Sequence, residues 1–440
     1  MTVAVDRSQL TNVAFARWTS SRWVLWLGLV VTHAWLSFVN INGHSHPLGD
    51  VTLVYLPWMQ HGFDSHYWVG IDAPWVYPIL ALVPMLLAWT FGPDNYAFTW
   101  LALVAVLDAV AFGFLIGWRR DVRNTGAAWW WLAFLVLLGP ISVARLDTVT
   151  VPLAIIAILF VATRPTAAAV LLTVATWIKV WPAAVLLALV ITVRARWRVL
   201  VSAVVCSAAI SCLAVFLGGG PQLLSFVAQQ SSRGLQIEAP VSTLWLWQAF
   251  AGVRHTRLYY DTSLLTYQVD GDGAREVSAL MTPLLAIVVL TIILLAVLAL
   301  LRRAPAAELF SPLSLALVSA FIAFNKVGSP QYMSWLAVPI ICGLVTSRAG
   351  HGRSFRMPAG ITCALAVLTQ LIYPWFYDAL LSLDPAVLIV LTARNALIFV
   401  LLGWAVFALC TAYRRVEVGR SGNVFGRDRL ESFTHTTDEG

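Results

Sequence analysis

The sequence predicts an all-α integral membrane protein, a polytopic bundle of about 11–13 transmembrane or re-entrant helices. Hydrophobic residues make up 60% of the 440 positions and charged residues only 11%, whereas ordinary soluble domains carry about 25% charged residues. Apolar stretches of ~18 or more residues recur along the chain, and each is long enough to span a bilayer. The 21 tryptophans are typical of the aromatic belts at membrane interfaces.

The basic charge of the chain is explained by membrane topology. The net charge is +7, but most arginines lie in short clusters between apolar stretches, which is the pattern of cytoplasmic anchors. We therefore expect no nucleic-acid partner, and the lipid bilayer is the predicted surroundings. The first apolar stretch, 23–39, is too long for the hydrophobic part of a signal peptide and lacks a small-residue cleavage site, so we expect it to remain as a spanning helix.

Arginine clusters also predict which loops face outwards. Between Arg22 and Arg119 the sequence has no lysine or arginine. Because basic residues favour the cytoplasmic side, we expect residues 41–73 to form an extracytoplasmic loop. Residues 1–414 are predicted to form a single transmembrane domain, and residues 415–440 a disordered cytoplasmic tail.

The second half of the chain alternates regularly across the membrane. A long loop, 218–276, is predicted to lie outside, between the first two spanning helices of this half. The predicted helices are 199–217, 277–301, 309–325, 332–346, 358–375 and 386–411. Both chain ends are then cytoplasmic.

Short helices joined by polar hinges are predicted in the first half. Between the arginines at 123, 164 and 194 the chain must leave and return twice, and the turning points are residues 144–147, the first hinge, and 178–182, the second hinge. Helices of about 15 residues span only ~22 Å, so both hinges should lie below the outer surface. We interpret 76–91 as a short or re-entrant hairpin and 97–117 as the next spanning helix.

The two lysines of the chain are candidate functional residues. Lys179 and Lys326 both lie at predicted outer helix ends, next to helix-breaking residues. An ionisable residue at membrane depth is a functional hypothesis by default, and broken helices at depth are tolerated where they line a cavity. The alternative is that both side chains extend to the interface. The polar residues expected to meet at this membrane face are Asp50, Tyr55, Tyr77, Arg145, Asp147, Lys179, Arg233, Glu238, Lys326 and Gln331.

Asp50 begins a mostly aromatic and aliphatic segment of the first predicted outer loop. The segment 49–58 suits a short helix lying in the membrane interface. Asp50 is either a functional carboxylate or an N-cap of that helix, a role that aspartate favours. Four histidines share the loop, but their spacing matches no metal motif, and we expect no metal or other cofactor. In the long outer loop, Arg233 either pairs with Glu238 or reaches an anionic group such as phosphate.

Short motifs between residues 49 and 332 resemble GT-C glycosyltransferases, and most closely glycosyltransferase family 87, the actinobacterial polyprenol-phosphate-mannose-dependent mannosyltransferases and their uncharacterised relatives. The motifs are Gly49-Asp50 with Tyr55, Val76-Tyr77-Pro78, Arg145-Leu146-Asp147, Ile178-Lys179-Val180-Trp181-Pro182, Arg233-Gly234-Leu235-Gln236-Ile237-Glu238, and Ser329-Pro330-Gln331-Tyr332. Many relatives have a second proline after the tyrosine, where this chain has Ile79.

The resemblance implies a GT-C-like fold whose transmembrane domain is catalytic and has its active site on the extracytoplasmic face of the plasma membrane. It implies an inverting transfer from a polyprenyl-phosphate sugar donor to a membrane glycolipid or glycan acceptor in the cell envelope. Asp50 matches the catalytic base, and Lys179, Arg233 and Lys326 are candidates for the donor phosphate. Lys179 ranks first of the three, because its hinge has the greatest implied depth in the membrane. The remaining candidates for substrate contacts are Tyr55, Tyr77, Arg145, Asp147, Gln236, Glu238, Gln331 and Tyr332.

Several functions remain open on the sequence alone. Within the resembled class, arabinofuranosyl transfer is an alternative to mannosyl transfer, because sugar stereochemistry is read by hydroxyl contacts that the motifs do not reveal. Transporters and lipid flippases also build sites from broken helices with charges at depth, although the two halves show no internal repeat. The third alternative is a non-catalytic membrane scaffold, against which the clustering of charges on one face argues.

Overall fold

The computed structural model of the protein describes residues 21–43, 46–118, 122–231, 233–262 and 264–412, and at 230 and 231 it describes the backbone alone. The arginines at positions 7, 17, 119 and 120, together with His44 and the predicted tail 415–440, lie outside the described residues.

Helices form nearly all of the described chain. The first half contains α1 (Arg22–Asn42), α2 (Leu56–Ser65), α3 (Leu82–Ala88), α4 (Tyr96–Ile116), α5 (Thr125–Leu138), α6 (Asp147–Phe160), α7 (Pro165–Ile178), α8 (Pro182–Thr192) and α9 (Arg196–Phe216). The second half contains α10 (Ser225–Ser231), α11 (Thr243–Phe250), α12 (Ala274–Leu301), α13 (Ala306–Ala323), α14 (Ala337–Arg348), α15 (Arg356–Gln370), α16 (Tyr377–Leu381) and α17 (Pro385–Thr411).

The predicted fold class is confirmed. Among the described residues, eight helices are long and apolar enough to cross a membrane, and four shorter apolar helices accompany them. The observed bounds differ from the predicted ones by a few residues at each end. The predicted helix 332–346 is the exception, because residues 330–336 form a tighter 3₁₀ helix before α14 begins.

Helix α13 lies at the centre of the bundle. Of its most apolar stretch 78% is buried inside the protein, against 22% for α9 and 17% for α12. A helix that is apolar on all sides is either buried in protein or surrounded by lipid. We conclude that α13 is enclosed by α8, α12, α14 and α17, on which it packs, while α9 and α12 present most of their surface to lipid.

Both predicted hinges are present. The first hinge separates α5 from α6, and the second separates α7 from α8. Helices α6 and α7 have 14 residues each and α8 has 11, so the longest of them is ~21 Å at 1.5 Å per residue, short of the ~30 Å hydrocarbon core. At these lengths we expect both hinges to lie at depth in the membrane.

The first hinge keeps its backbone groups bonded although it interrupts a helix. Gly139 follows α5 with a φ of +72°, a conformation that glycine adopts without strain. Ser142 then donates a hydrogen bond to the Gly139 carbonyl at 2.7 Å, and Trp100 Nε1 donates to the Val143 carbonyl at 3.1 Å. Irregular backbone at membrane depth requires such partners.

The segment 218–276, predicted as an outer loop, contains a three-stranded antiparallel sheet that the sequence did not predict. Its strands are β1 (Leu235–Gln236), β2 (Arg257–Asp261) and β3 (Thr266–Asp270), in the order β1-β3-β2. The sheet packs through Val269 and Leu235 onto the N-terminal end of α17, where Leu388 and Leu391 complete a second apolar core.

The sheet also contacts the segment that follows α13. The backbone amide of Gln236 donates a hydrogen bond to the Lys326 carbonyl at 3.0 Å. The backbone at Gly328 lies so close to Glu238 and Ala239 that a Cβ atom at position 328 would collide with the Ala239 amide. Glycine is needed at such a close approach. These contacts bring the 326–331 segment and the 233–238 segment together.

Candidate functional site

Asp50 and Arg145 form the first charged pair of the site. Arg145 is buried in the first hinge, and its Nε lies 3.0 Å from Asp50 Oδ2. The other guanidinium donors bind the Pro47 carbonyl at 2.6 Å, the Ala144 carbonyl at 2.8 Å and the Tyr373 hydroxyl at 3.0 Å. These contacts use the planar array of donors that arginine provides. Arg145 is therefore fixed, and it orients the Asp50 carboxylate.

The Asp50 carboxylate remains accessible. Asp50 opens a short π-helical turn, 50–55, that continues into α2, and the start of this turn has no side-chain capping bond. The alternative role as an N-cap is therefore not what the carboxylate does in this structure. Its side chain is 35% exposed, in contrast to the buried Arg145. Solvent can therefore reach it.

Asp147 and Lys179 form a second, deeper pair that joins the two hinges. Lys179 Nζ lies 3.2 Å from Asp147 Oδ2, and Trp335 Nε1 donates to Asp147 Oδ1 at 2.6 Å. The Lys179 ammonium also lies 4.6 Å from the centre of the Tyr77 ring, in cation–π geometry. Asp147 is fully buried, so its negative charge needs a positive partner. Lys179 is that partner, and the pairing neutralises much of the charge of Lys179.

Tyr55 lies between the two pairs. Its hydroxyl accepts a hydrogen bond from the Leu146 amide at 3.4 Å, and its ring lies 6.4 Å from that of Tyr77. Burial, with Tyr77 and the Asp50 carboxylate, raises the pKa of Tyr55 well above its ordinary value. The phenol therefore stays neutral and acts as a hydrogen-bonding group. Both tyrosines lie where the sequence placed them.

Arg233, Lys326 and Tyr332 form a third group. Arg233 Nε is buried and has no hydrogen-bond partner among the described residues. Lys326 is only 6% exposed, and burial together with the charge of Arg233 lowers its pKa. Tyr332, whose pKa burial raises to about 12, lies within the electrostatic influence of both Lys179 and Arg233. Because the charge of Arg233 acts on Lys326 and Arg233 Nε has an unused donor, these two cations are suited to an anion such as phosphate.

Glu238 pairs with an arginine that the sequence analysis missed. Its carboxylate Oε2 lies 2.7 Å from Arg394 Nη1, and its carbonyl accepts from Arg394 Nη2 at 2.6 Å. Both side chains are almost fully buried. The alternative in which Glu238 pairs with Arg233 is therefore wrong. Burial raises the pKa of Glu238, and Arg394 opposes that shift.

Two predicted site residues, Gln236 and Gln331, make hydrogen bonds within the segments that surround the site. Gln236 is buried in β1, and its amide joins the sheet to the Lys326 carbonyl. Gln331 Oε1 accepts from the Ser329 hydroxyl at 2.6 Å, within the turn that leads to Tyr332. Among the described residues, neither of their side chains is hydrogen-bonded to either charged pair.

Three residues that sequence reasoning missed take part in the site. Arg394 is a charged residue inside the apolar run 385–411, and this alone is a signal of function or of a buried partner. Tyr373, which binds Arg145, follows a break at the end of α15 that resembles the breaks at the hinges. Trp335, which binds Asp147, stacks on Trp181 with 5.6 Å between ring centres, and no sequence spacing indicates that contact.

The fold and these contacts define a multi-pass helical membrane protein whose ionisable residues meet at the hinges of broken helices. No protein-family model matches the chain. No curated protein matches it either. Among solved structures, the chain is similar to the crystal structure of ArnT from Cupriavidus metallidurans in the apo state. The identity is 16%, the similarity covers 82% of this chain and 72% of that chain, and the TM-score is 0.39. At this identity and TM-score the likeness does not establish a shared function.

Proposed function

We propose that the protein is an inverting glycosyltransferase of the plasma membrane. It would move a sugar, mannose in the favoured version, from a polyprenyl-phosphate donor to a hydroxyl of a cell-envelope glycolipid or glycan on the extracytoplasmic face. The observation that carries the proposal is that a carboxylate able to act as a base and cations able to bind phosphate both lie near the hinges. An accessible, oriented carboxylate, Asp50, is paired with Arg145 of the first hinge, and the cation Arg233 acts, together with Lys179 of the second hinge, on Tyr332.

Asp50 is the proposed general base. Its carboxylate takes the proton of the acceptor hydroxyl, and the hydroxyl oxygen forms a bond to the anomeric carbon of the donor sugar. The bond from that carbon to the phosphate oxygen breaks, and polyprenyl phosphate leaves with the electron pair. Attack from the side opposite the phosphate inverts the anomeric centre. Arg145 is a positioning residue, because it contacts Asp50 Oδ2 and is fixed by three other acceptors.

Arg233 and Lys326 are the proposed phosphate ligands. Fixed cations that face developing negative charge stabilise such a transition state, and the guanidinium fork suits phosphate. Depth in the membrane favoured Lys179 for this role on the sequence alone. The geometry ranks it lower, because Lys179 is already paired with the buried Asp147. Arg233 Nε, by contrast, has a donor to offer.

An assay of the purified protein tests the proposed function. Labelled polyprenyl-phosphate mannose and polyprenyl-phosphate arabinose are each offered with a panel of membrane glycolipids and glycans. We expect transfer from one of the two donors, with inversion of the anomeric centre in the product. Absence of transfer from either donor, together with movement of labelled lipid across reconstituted vesicles, would replace the transferase with a lipid transporter. Efficient use of the arabinose donor alone would correct the sugar.

The lowered pKa of Lys326 predicts how donor use depends on pH. Since its pKa is below that of an exposed lysine, Lys326 loses its proton, and with it the attraction for phosphate, as the pH rises through the lowered value. We expect kcat/KM for the donor to fall on the alkaline side by about tenfold, the size of a charge-assisted hydrogen bond. Lys326→Arg should remove this alkaline fall, because a guanidinium keeps its proton.

The matched control is Arg257→Gln, because Arg257 is an exposed cation of strand β2 whose ion pair is with the exposed Asp270. This variant should keep the wild-type pH profile. If Lys326→Arg showed the same alkaline fall as the wild type, Lys326 would not be the group that holds the phosphate.

A further inference from the structure

Four tyrosine rings connect the proposed base to the outer sheet. We call Tyr373, Tyr377, Tyr267 and Tyr260 the tyrosine ladder. Successive ring centres lie 5.2, 6.2 and 4.9 Å apart. The ladder begins at Arg145, since Tyr373 binds the guanidinium that also contacts Asp50. It ends at Tyr260, which is 45% exposed.

Only one face of the β2–β3 hairpin carries the ladder. Tyr260 and Tyr267 are directly paired residues of the antiparallel strands, so their side chains lie on the same face. Tyr259, the preceding residue of β2, points to the other face, because side chains alternate along a strand. There its hydroxyl lies 3.3 Å from Gln268 Oε1.

The chemistry of the ladder suits a carbohydrate. A tyrosine offers an apolar ring face, on which the C–H groups of a sugar can stack, and a hydroxyl that can bond to the sugar hydroxyls. Burial and the nearby Glu238 carboxylate raise the pKa of Tyr377, so its hydroxyl stays protonated and can donate. The three steps from Tyr373 to Tyr260 together are longer than a single sugar ring.

We propose that the acceptor is a carbohydrate chain of several sugar units, which lies along the tyrosine ladder and presents its terminal hydroxyl to Asp50. This inference rests on the proposed function and names the acceptor class of the same site. A purely structural role is the competing explanation, because Tyr267 and Tyr377 also pack against the second apolar core. That role gives no reason for the exposed Tyr260 to affect transfer.

Acceptor length tests the proposal. The probes are manno-oligosaccharide and arabino-oligosaccharide acceptors of one and three units, with saturating donor. For the wild type we expect the acceptor KM to be lower for the trisaccharide of the active series. Tyr260→Ala should raise the trisaccharide KM by about tenfold, the loss expected from one aromatic contact of ~1.4 kcal/mol, and leave kcat, the donor KM and the monosaccharide KM unchanged. Tyr260→Trp should restore the trisaccharide KM.

The neighbouring residue provides the matched control. Tyr259→Ala removes a tyrosine of the same strand from the opposite face and should leave the length dependence intact. Equal KM values for the two acceptor lengths in the wild type, or equal effects of Tyr259→Ala and Tyr260→Ala, would overturn the ladder as an acceptor site.

A binding measurement separates this inference from the proposed function. Calorimetric titration of the purified protein with the same sugars reports binding without transfer. Tyr260-dependent, length-dependent binding in a protein that transfers no sugar would remove the proposed function but support the carbohydrate site. Transfer without any dependence on acceptor length or on Tyr260 would support the proposed function but remove the carbohydrate site.

Discussion

Asp50→Asn is expected to reduce the rate of sugar transfer by about 10²–10⁴, the usual contribution of a general base. Asparagine has nearly the same shape but cannot accept the proton of the acceptor hydroxyl. The variant should fold, because Asp50 is 35% exposed and Arg145 keeps its bonds to two carbonyls and to Tyr373. The measurement is kcat with saturating donor and acceptor, together with donor affinity, which should change little.

The first outer loop supplies two control carboxylates. Asp64 is exposed, and Asp72 accepts a hydrogen bond from the Trp68 amide at 2.7 Å within its own turn. We expect Asp64→Asn and Asp72→Asn to be mild. An active Asp50→Asn variant beside an inactive variant of either control would assign the base elsewhere in the loop. If all three variants remained active, the proposed mechanism would be wrong.

Arg394→Met is expected to destabilise the protein by about 3–5 kcal/mol, since it leaves the charge of Glu238 buried without a partner. Arg394 binds both the carboxylate and the carbonyl of Glu238. It also binds the side chain of Asn395, which in turn donates to Thr243 at the start of α11. The variant should therefore loosen the outer sheet from α17. Thermal unfolding in detergent, with the intact wild type as reference, measures the effect as a lowered Tm.

A double variant isolates the electrostatic part of this effect. Glu238→Gln removes the buried charge, so Glu238→Gln combined with Arg394→Met should be more stable than Arg394→Met alone. Arg275→Met is the control for loss of an arginine, because Arg275 is exposed at the start of α12. A Tm of Arg394→Met equal to that of Arg275→Met would show that the buried pair contributes nothing to stability.

The helical bundle was largely predictable because its signals are long and physical. Apolar runs define the helices, and the hinges are marked by charges inside such runs, as at Arg145 and Lys179. The sheet was not predictable from the same signals. Strand β1 has only two residues, and β2 and β3 are five-residue strands in a polar loop. Their pairing depends on packing against α17, which no local pattern reveals.

The sequence indicated most residues of the candidate site but not which of them pair with each other. Polar residues at membrane depth drew attention to Asp50, Arg145, Asp147 and Lys179, and the structure joins them into two pairs. Which carboxylate meets which cation depends on helix packing. Arg394 was missed because its run of apolar neighbours was interpreted as an ordinary spanning helix.

The order of synthesis gives the buried pair of the two hinges a role in biogenesis. The ribosome releases Asp147 before Lys179, and Trp335 much later, although all three meet in the finished protein. A nascent chain that ends before the second hinge therefore carries Asp147 without its partner Lys179, and an unpaired carboxylate at membrane depth is costly. The α5–α6 hairpin is stabilised in the membrane only after α7 and α8 have been inserted, because Lys179 lies between those two helices. A truncated or stalled chain therefore differs from the finished protein by an unneutralised carboxylate at residue 147.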